Sequence, residues 1–295
     1  MKFLTPFLVL GTVLIAAMAS AQERSRIVAV NYPLQYLTER LVGDGAEVVF
    51  PVPADVDPSF WRPSIEDISM IQSADLILLN GAGFATWVDR VSLPRSKLVN
   101  TTSAIEDAFI FTESITHSHG DGGEHSHEGV ASYVWLDPTL AIAQAEAIAA
   151  AIAGRQLAPA DEVYARFDTL RSELEALDML AQTRLGGLSD TAIIATHPRY
   201  QYFARRYGLD VSSLEWEAGA QPTEAELKDL CARVVVSGAQ VLIWEADPSS
   251  EAFAATEDLG LSNIVFPPLS RLPDGTSFVA GFEAAIAALS DAAVE

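Results

Sequence analysis

Short apolar runs alternate with helix-like stretches along the first half of the chain. The apolar runs predict strands at 26–30, 48–51, 76–79 and 97–100. These runs are continuous and rich in β-branched residues, which is typical of parallel strands buried on both faces. Helix-like segments such as 34–42 and 64–73 lie between them, and Asp137-Pro138 begins another helix, with Asp as N-cap.

A longer amphipathic pattern follows over 160–185. Its apolar residues recur at three- and four-residue steps, as on one helix face: Val163, Phe167, Leu170, Leu174, Leu177 and Leu180. At about 1.5 Å per residue this helix is about 38 Å long, and Gly186-Gly187 end it. Apolar runs at 192–195, 241–244 and 263–266 then begin a second βα series.

This order predicts an α/β protein with two doubly wound lobes, one long linking helix and a ligand cleft between the lobes. The predicted divisions are an N-terminal lobe over 22–154, the linker helix within 155–187 and a C-terminal lobe over 188–295. The alternative is a single large α/β domain that carries the long helix on its surface.

The first 21 residues have the pattern of a secretory signal peptide. Lys2 is the lone charge, 7–18 is apolar, and Ala19-Ser20-Ala21 fits a cleavage site. The apolar run is shorter than the roughly 18–20 residues that span a bilayer. We therefore expect cleavage near Ala21 and a soluble, exported, periplasmic protein.

Net charge and cysteine content restrict the classes of partner and the covalent links that we expect for this chain. Without the signal peptide, 17 basic and 40 acidic residues leave a net charge of −23, which argues against nucleic acid and anionic membranes. The single cysteine, Cys231, excludes an intramolecular disulfide. Because it lies in a helix-like stretch, a buried structural thiol is expected there. We expect a monomer.

Histidine is concentrated in one tract. Four of the five histidines lie within eleven residues, inside a predicted loop over 113–129: His117, His119, His125 and His127. Neutral imidazole is a common ligand of zinc and related ions, so the tract indicates metal handling. A solvated low-complexity surface loop is the alternative.

The fifth histidine, His197, follows the predicted strand 192–195. Ligands of open α/β sheets bind outside the carboxyl ends of the strands. Asp57-Pro58-Ser59, Glu245 and Pro267-Pro268 occupy comparable positions, so these segments should converge at the cleft. A lone histidine at a strand end is equally well explained as a hydrogen-bonded structural residue.

Several segments resemble the cluster A-I metal receptors of ABC transporters, a family that includes zinc and manganese receptors. In chain order the resembling segments are 31–37, 56–64, 74–83, 134–138, 196–209 and 268–269. The resemblance covers essentially the whole chain after the signal peptide. It implies two lobes bridged by a rigid helix, a metal between them, and delivery to a membrane permease. Zinc-selective members also often carry a His-rich loop where 117–127 lies.

The resemblance also implies four cleft ligands, and this chain departs from that set. Ser59 and Tyr133 stand where histidines are usual, and Pro267 aligns with a position that is often Asp. Only His197 is retained. Because zinc sites use three or four protein ligands, the usual cleft site is expected to be degraded.

Four functions stay open. The first is a composite site in which the loop histidines join His197, with Glu245 or Glu217 as acidic contributors; zinc is the expected metal and manganese the second candidate.

The second is a changed cargo, a non-metal solute or chelate. Ser59, Phe60, Trp61, Arg62 and Tyr133 would line its pocket, with Arg62 pairing with a carboxylate of that ligand.

The third function is a periplasmic zinc buffer or chaperone that uses the loop alone. The fourth, an enzyme with His197 as general base, has little support because the sequence carries no nucleophile or metalloprotease motif.

Overall fold

A computed structural model describes residues 24–118, 124–216, 218–271 and 275–293, with the side chains of 113–128 left outside this description. The proposed signal peptide lies outside the described residues. Among the described helices, none has both the length and the apolar composition that a membrane crossing requires.

The N-terminal lobe is built on a parallel four-stranded sheet in the order β2-β1-β3-β4. Its strands are β1 (Ser25–Ala29), β2 (Ala46–Val49), β3 (Leu76–Leu79) and β4 (Leu98–Asn100). Helices α1 (Tyr32–Val42) and α2 (Ile65–Ser73) belong to the same lobe. The predicted strands therefore all exist, with ends displaced by up to two residues.

The C-terminal lobe repeats this architecture with a second parallel sheet, in the order β10-β9-β7-β8. Its strands are β7 (Ala192–Ala195), β8 (Asp210–Ser213), β9 (Val241–Trp244) and β10 (Ser262–Val265). Helices α5 (Gln201–Tyr207), α6 (Glu224–Ser237), α7 (Ser250–Glu257) and α8 (Phe278–Ala292) complete the lobe.

Two helices lie between the two sheets in chain order. Helix α3 (Pro138–Gly154) begins at its N-cap Asp137 as predicted, and α4 (Ala160–Leu185) matches the predicted long helix at both ends. Helix α4 packs against α1, α3 and α8, with Leu170 and Leu174 fully buried. It is thus part of the core, as the two-lobed prediction requires. The residue limits of the lobes stay predictions.

One hydrophobic cluster extends through both lobes. It includes Ile27 in the first sheet, Leu174 in α4, Ile243 in the second sheet and Phe282 in α8. A smaller cluster around Trp216 and Trp244 covers the other face of the second sheet.

Residues 113–129, predicted as a loop, instead belong largely to an antiparallel hairpin of β5 (Phe111–Ser118) and β6 (Glu124–Val130). Backbone pairing between the two strands satisfies the polar main chain without a packed core. In this register the Cα of His117 pairs with that of His125, and Ile115 pairs with His127. His119 lies outside the described residues.

The expectation of a buried Cys231 was wrong. Helix α6 lies on the surface with Leu230 as its one buried residue, and Cys231 is exposed.

Helix α2 provides a test of local stability. The Ser64 hydroxyl accepts from the Asp67 backbone N–H at 3.1 Å, and the Asp67 carboxylate accepts from the Ser64 N–H at 2.8 Å. We expect Ser64→Ala to lower the free energy of unfolding by about 1 kcal/mol, because it removes one cap. Urea denaturation measures this. Ser64→Asp, which retains an N-cap acceptor, should stay within a few tenths; an equal loss in both variants would contradict the capping role.

Candidate functional site

Polar side chains stand at the carboxyl ends of the first sheet. Asn31 follows β1 and Asn80 follows β3, and the side-chain amide of Asn31 donates to Asn80 Oδ1 at 3.2 Å. The Asn80 amide in turn donates to the Ser132 carbonyl at 3.0 Å. This buried network fixes the segment that carries Tyr133.

Ser59 is buried in the loop after β2 and is hydrogen-bonded to Asp57, two residues earlier. Its backbone N–H and its hydroxyl both donate to Asp57 Oδ1, at 2.8 and 2.6 Å. This turn leaves the second oxygen, Asp57 Oδ2, directed to a partner in the other lobe. The carboxylate of Asp57 is therefore the acidic group that this loop brings to the cleft.

Tyr133 packs inside the N-terminal lobe against Phe84 and Trp135, with ring centroids 5.7 and 4.8 Å away. Only 2% of its surface is exposed. Its hydroxyl lies beside Ser59 and makes no well-formed hydrogen bond with any described residue. Burial raises the pKa of this phenol well above its ordinary value, so Tyr133 stays protonated and is a poor metal ligand.

His197 lies where the sequence predicts, two residues beyond the end of β7, and is buried. Its Nδ1 is 2.8 Å from the Trp216 carbonyl oxygen. Because a carbonyl only accepts, Nδ1 is the hydrogen-bond donor in this contact. Metal-binding histidines commonly donate one ring N–H to a carbonyl in this way, which fixes the orientation of the ring.

Arg199 occupies the centre of the cleft. Its Nη2 donates to Asp57 Oδ2 of the N-terminal lobe at 2.9 Å, and its Nε donates to Glu245 Oε2 of the C-terminal lobe at 3.4 Å. The guanidinium carbon lies 4.6 Å from the Tyr133 ring centroid and 5.8 Å from that of Phe60. A single buried cation thus joins two carboxylates from opposite lobes.

The charges of this cluster respond to burial and to one another. Burial lowers the pKa of Arg199, but Tyr133, Glu245 and Asp57 outweigh that effect, so its pKa is raised overall and it stays charged. Burial raises the pKa of Glu245, and the attraction of Arg199 opposes this only in part. The Arg199 guanidinium lies closer to the Asp57 carboxylate than to the Glu245 carboxylate.

The predicted cleft residues converge only in part. Ser59, Tyr133, Glu245 and His197 are buried around the cleft, whereas Pro267 is exposed. Within the described ranges no three His, Cys, Asp or Glu residues form a cluster that could hold a metal. The side chains of the tract histidines, and the whole of Glu217, lie outside this description.

The aromatic pocket of the changed-cargo hypothesis differs from expectation. Trp61 is core, packed edge-on against Trp87 at 5.6 Å, and Arg62 is exposed. The arginine in the cleft is Arg199, which the sequence does not predict as a site residue. Its only local signal is its place two residues after His197 at a strand end.

The model of one protein family matches residues 27–292, nearly the whole described chain. That family is described as zinc-uptake complex component A, periplasmic (ZnuA). The chain belongs to this family. Its ZnuA-type fold of two lobes agrees with the order of strands and helices described above.

Individual ZnuA relatives are distant. The zinc-binding lipoprotein AdcA of Streptococcus pneumoniae serotype 4 is 27% identical over 263 residues, 86% of this chain but 52% of AdcA. The chain thus spans about half the length of this relative. The high-affinity zinc uptake system protein ZnuA of Bacillus subtilis is 27% identical over 261 residues, 86% of this chain and 81% of that protein.

A solved structure supports the fold. The Zn(II)-bound ZnuA-like domain of Streptococcus pneumoniae AdcA superposes with a TM-score of 0.76 at 22% identity, covering 92% of this chain and all of that one. At this identity the likeness shows the two-lobed architecture alone.

Proposed function

We propose that this chain is the extracytoplasmic solute-binding component of a metal ABC uptake system, with zinc as its cargo and a membrane permease as its partner. The observation that carries the proposal is the ZnuA family match over 27–292, together with the retained His197, whose Nδ1 is held by a carbonyl. The names of the relatives, which refer to zinc binding and zinc uptake, support zinc over manganese.

In this proposal His197 donates Nε2 to the metal and the histidine tract supplies the remaining imidazoles. The hairpin is well placed for this role, because its base is closed by the Ala131 N–H donating to the Ile110 carbonyl at 2.8 Å, two residues before Tyr133. Its base also touches the other lobe, where the Tyr202 hydroxyl accepts from the Ile110 N–H at 3.3 Å. The ligands we propose are His117, His119, His125, His127 and His197, with Glu245 as the acidic contributor.

We expect His197→Ala, and separately deletion of 117–127, to weaken zinc binding by at least about tenfold, a loss of about 1.4 kcal/mol. Each change removes donors from one composite site. Titration of the mature protein against a competing zinc chelator measures the effect. Replacing the four tract histidines with Asn keeps the hairpin length, and it should match the deletion if imidazoles are responsible.

The outcomes separate the alternatives. Zinc binding that survives His197→Ala but not the tract change indicates the buffer or chaperone that acts through the tract alone. An absence of binding in the wild type and in every variant would refute the metal proposals.

One observation favours the second candidate, a changed cargo. The buried guanidinium of Arg199 is a group that recognises carboxylates, so a carboxylate-bearing solute or chelate would have a cationic anchor in the cleft. Such a ligand has to displace Asp57 or Glu245. A chelate that binds when the free metal does not would support it. In either case we propose a receptor and not an enzyme.

A further inference from the structure

We propose that Arg199 is a built-in competitor of the metal: its guanidinium occupies the charge site made by Asp57 and Glu245, and a divalent cation enters the cleft by displacing it. This inference rests on the proposed function and deepens it, because it assigns to one residue the control of affinity at that site.

Asp57 and Glu245 come from opposite lobes and converge on one point, with side-chain exposures of 28% and 9%. Two carboxylates brought together in a poorly hydrated cleft need a cation between them. Arg199, 9% exposed, supplies one positive charge against two negative charges. The cluster keeps a net charge of −1 and still favours cations over anions.

Carboxylate oxygens and the imidazole of His197, which is buried nearby in the C-terminal lobe, are ligand types that suit zinc and its neighbours among divalent ions. With the guanidinium 2.9 and 3.4 Å from the two carboxylates, no metal-holding group of three exists among the residues that the structure describes. In this proposal the two carboxylates become available to a metal only when the Arg199 guanidinium withdraws from them.

In this proposal the guanidinium of Arg199 is able to leave the carboxylates. It is carried on a long flexible side chain, and its longer contact, to Glu245 at 3.4 Å, is a weak hydrogen bond. Its contact with Asp57 is closer, at 2.9 Å, and it also lies over the rings of Tyr133 and Phe60. A divalent ion that replaces it brings two charges instead of one to the same carboxylates, while the displaced cation nearby opposes binding.

The test compares zinc affinity and zinc-induced stabilisation in the mature protein and its variants. We expect Arg199→Gln to bind zinc at least tenfold more tightly than the wild type and to gain a larger rise in melting temperature on zinc addition. Arg199→Lys keeps the charge without the planar fork, so its gain should be smaller. Arg90→Gln, the same charge change at an exposed position, should bind as the wild type does.

Equal or weaker zinc binding by folded Arg199→Gln overturns the inference and leaves the proposed function standing. Binding gained by Arg199→Gln in a protein whose wild type shows none supports the inference and refutes the proposed function. If neither binds, both fail. Should Arg199→Gln not fold, Arg199→Lys decides: it keeps the charge but lacks the planar fork that contacts both carboxylates, and its zinc affinity should exceed that of the wild type. An unchanged affinity overturns the inference.

Discussion

We expect Trp135→Ala to lower the free energy of unfolding by about 3–5 kcal/mol, the usual loss when a buried aromatic side chain is truncated. Trp135 has no exposed surface and packs edge-on against Phe84, with centroids 5.3 Å apart. Its indole N–H donates across the cleft to the Pro268 carbonyl at 2.8 Å. The change therefore opens a cavity in one lobe and leaves a buried acceptor unsatisfied in the other.

The next residue, Leu269, has φ 57, a left-handed conformation that is unfavourable for a buried leucine. The hydrogen bond from Trp135 to the Pro268 carbonyl helps to hold the backbone in that conformation. Trp135→Phe is the matched control, because it keeps an aromatic ring and removes the donor. It should lose about 1–3 kcal/mol. Urea denaturation followed by circular dichroism measures both. A loss below about 1 kcal/mol for the alanine variant would contradict this account.

The second large effect is expected at Asp178 on α4. Its carboxylate accepts hydrogen bonds from the guanidinium of Arg206, the Tyr207 hydroxyl at 3.1 Å and the Gln182 amide at 2.8 Å. These bonds tie the linking helix to α5. We expect Asp178→Ala to lower the free energy of unfolding by about 2–3 kcal/mol, less than the roughly 3–5 kcal/mol lost when a fully buried pair is broken, because Arg206 is 31% exposed and partly hydrated.

A double-mutant cycle isolates this pair. With Arg206→Ala and the double variant, the coupling energy should be about 1–2 kcal/mol. Additive losses in chemical denaturation would show that Asp178 acts through packing alone. Arg205→Ala, which removes an exposed neighbour that donates to the Ala108 carbonyl, is the control for loss of an arginine side chain.

The sequence predicts the buried elements well and the surface elements poorly. Strands β3, β7 and β9 and helix α4 match the predicted limits, because burial on one or both faces demands a continuous apolar pattern. Strand β8 has alternating exposure at the edge of its sheet and the polar sequence Asp-Val-Ser-Ser, so no apolar run marks it. The β5-β6 hairpin is likewise polar, and backbone pairing defines it.

In the cleft, too, the sequence predicts some residues of the candidate site and not others. The position of His197 follows from the rule that sites lie at strand ends, and the structure places it there. The role of Arg199 depends on Asp57, 142 residues earlier, and on Glu245, 46 residues later. No local pattern encodes such a contact, because it exists only after the two lobes have packed.

That packing has a consequence for how the protein unfolds. The apolar cluster continues from the first sheet through α4 into the second sheet and α8 without a boundary. Separation of the two halves at either end of α4 would expose the apolar face of this helix, where Phe167, Leu170 and Leu174 are now buried. Loss of one half thus removes the support of the other, and a single transition should melt both. We therefore expect a chain with two lobes to unfold as one cooperative unit.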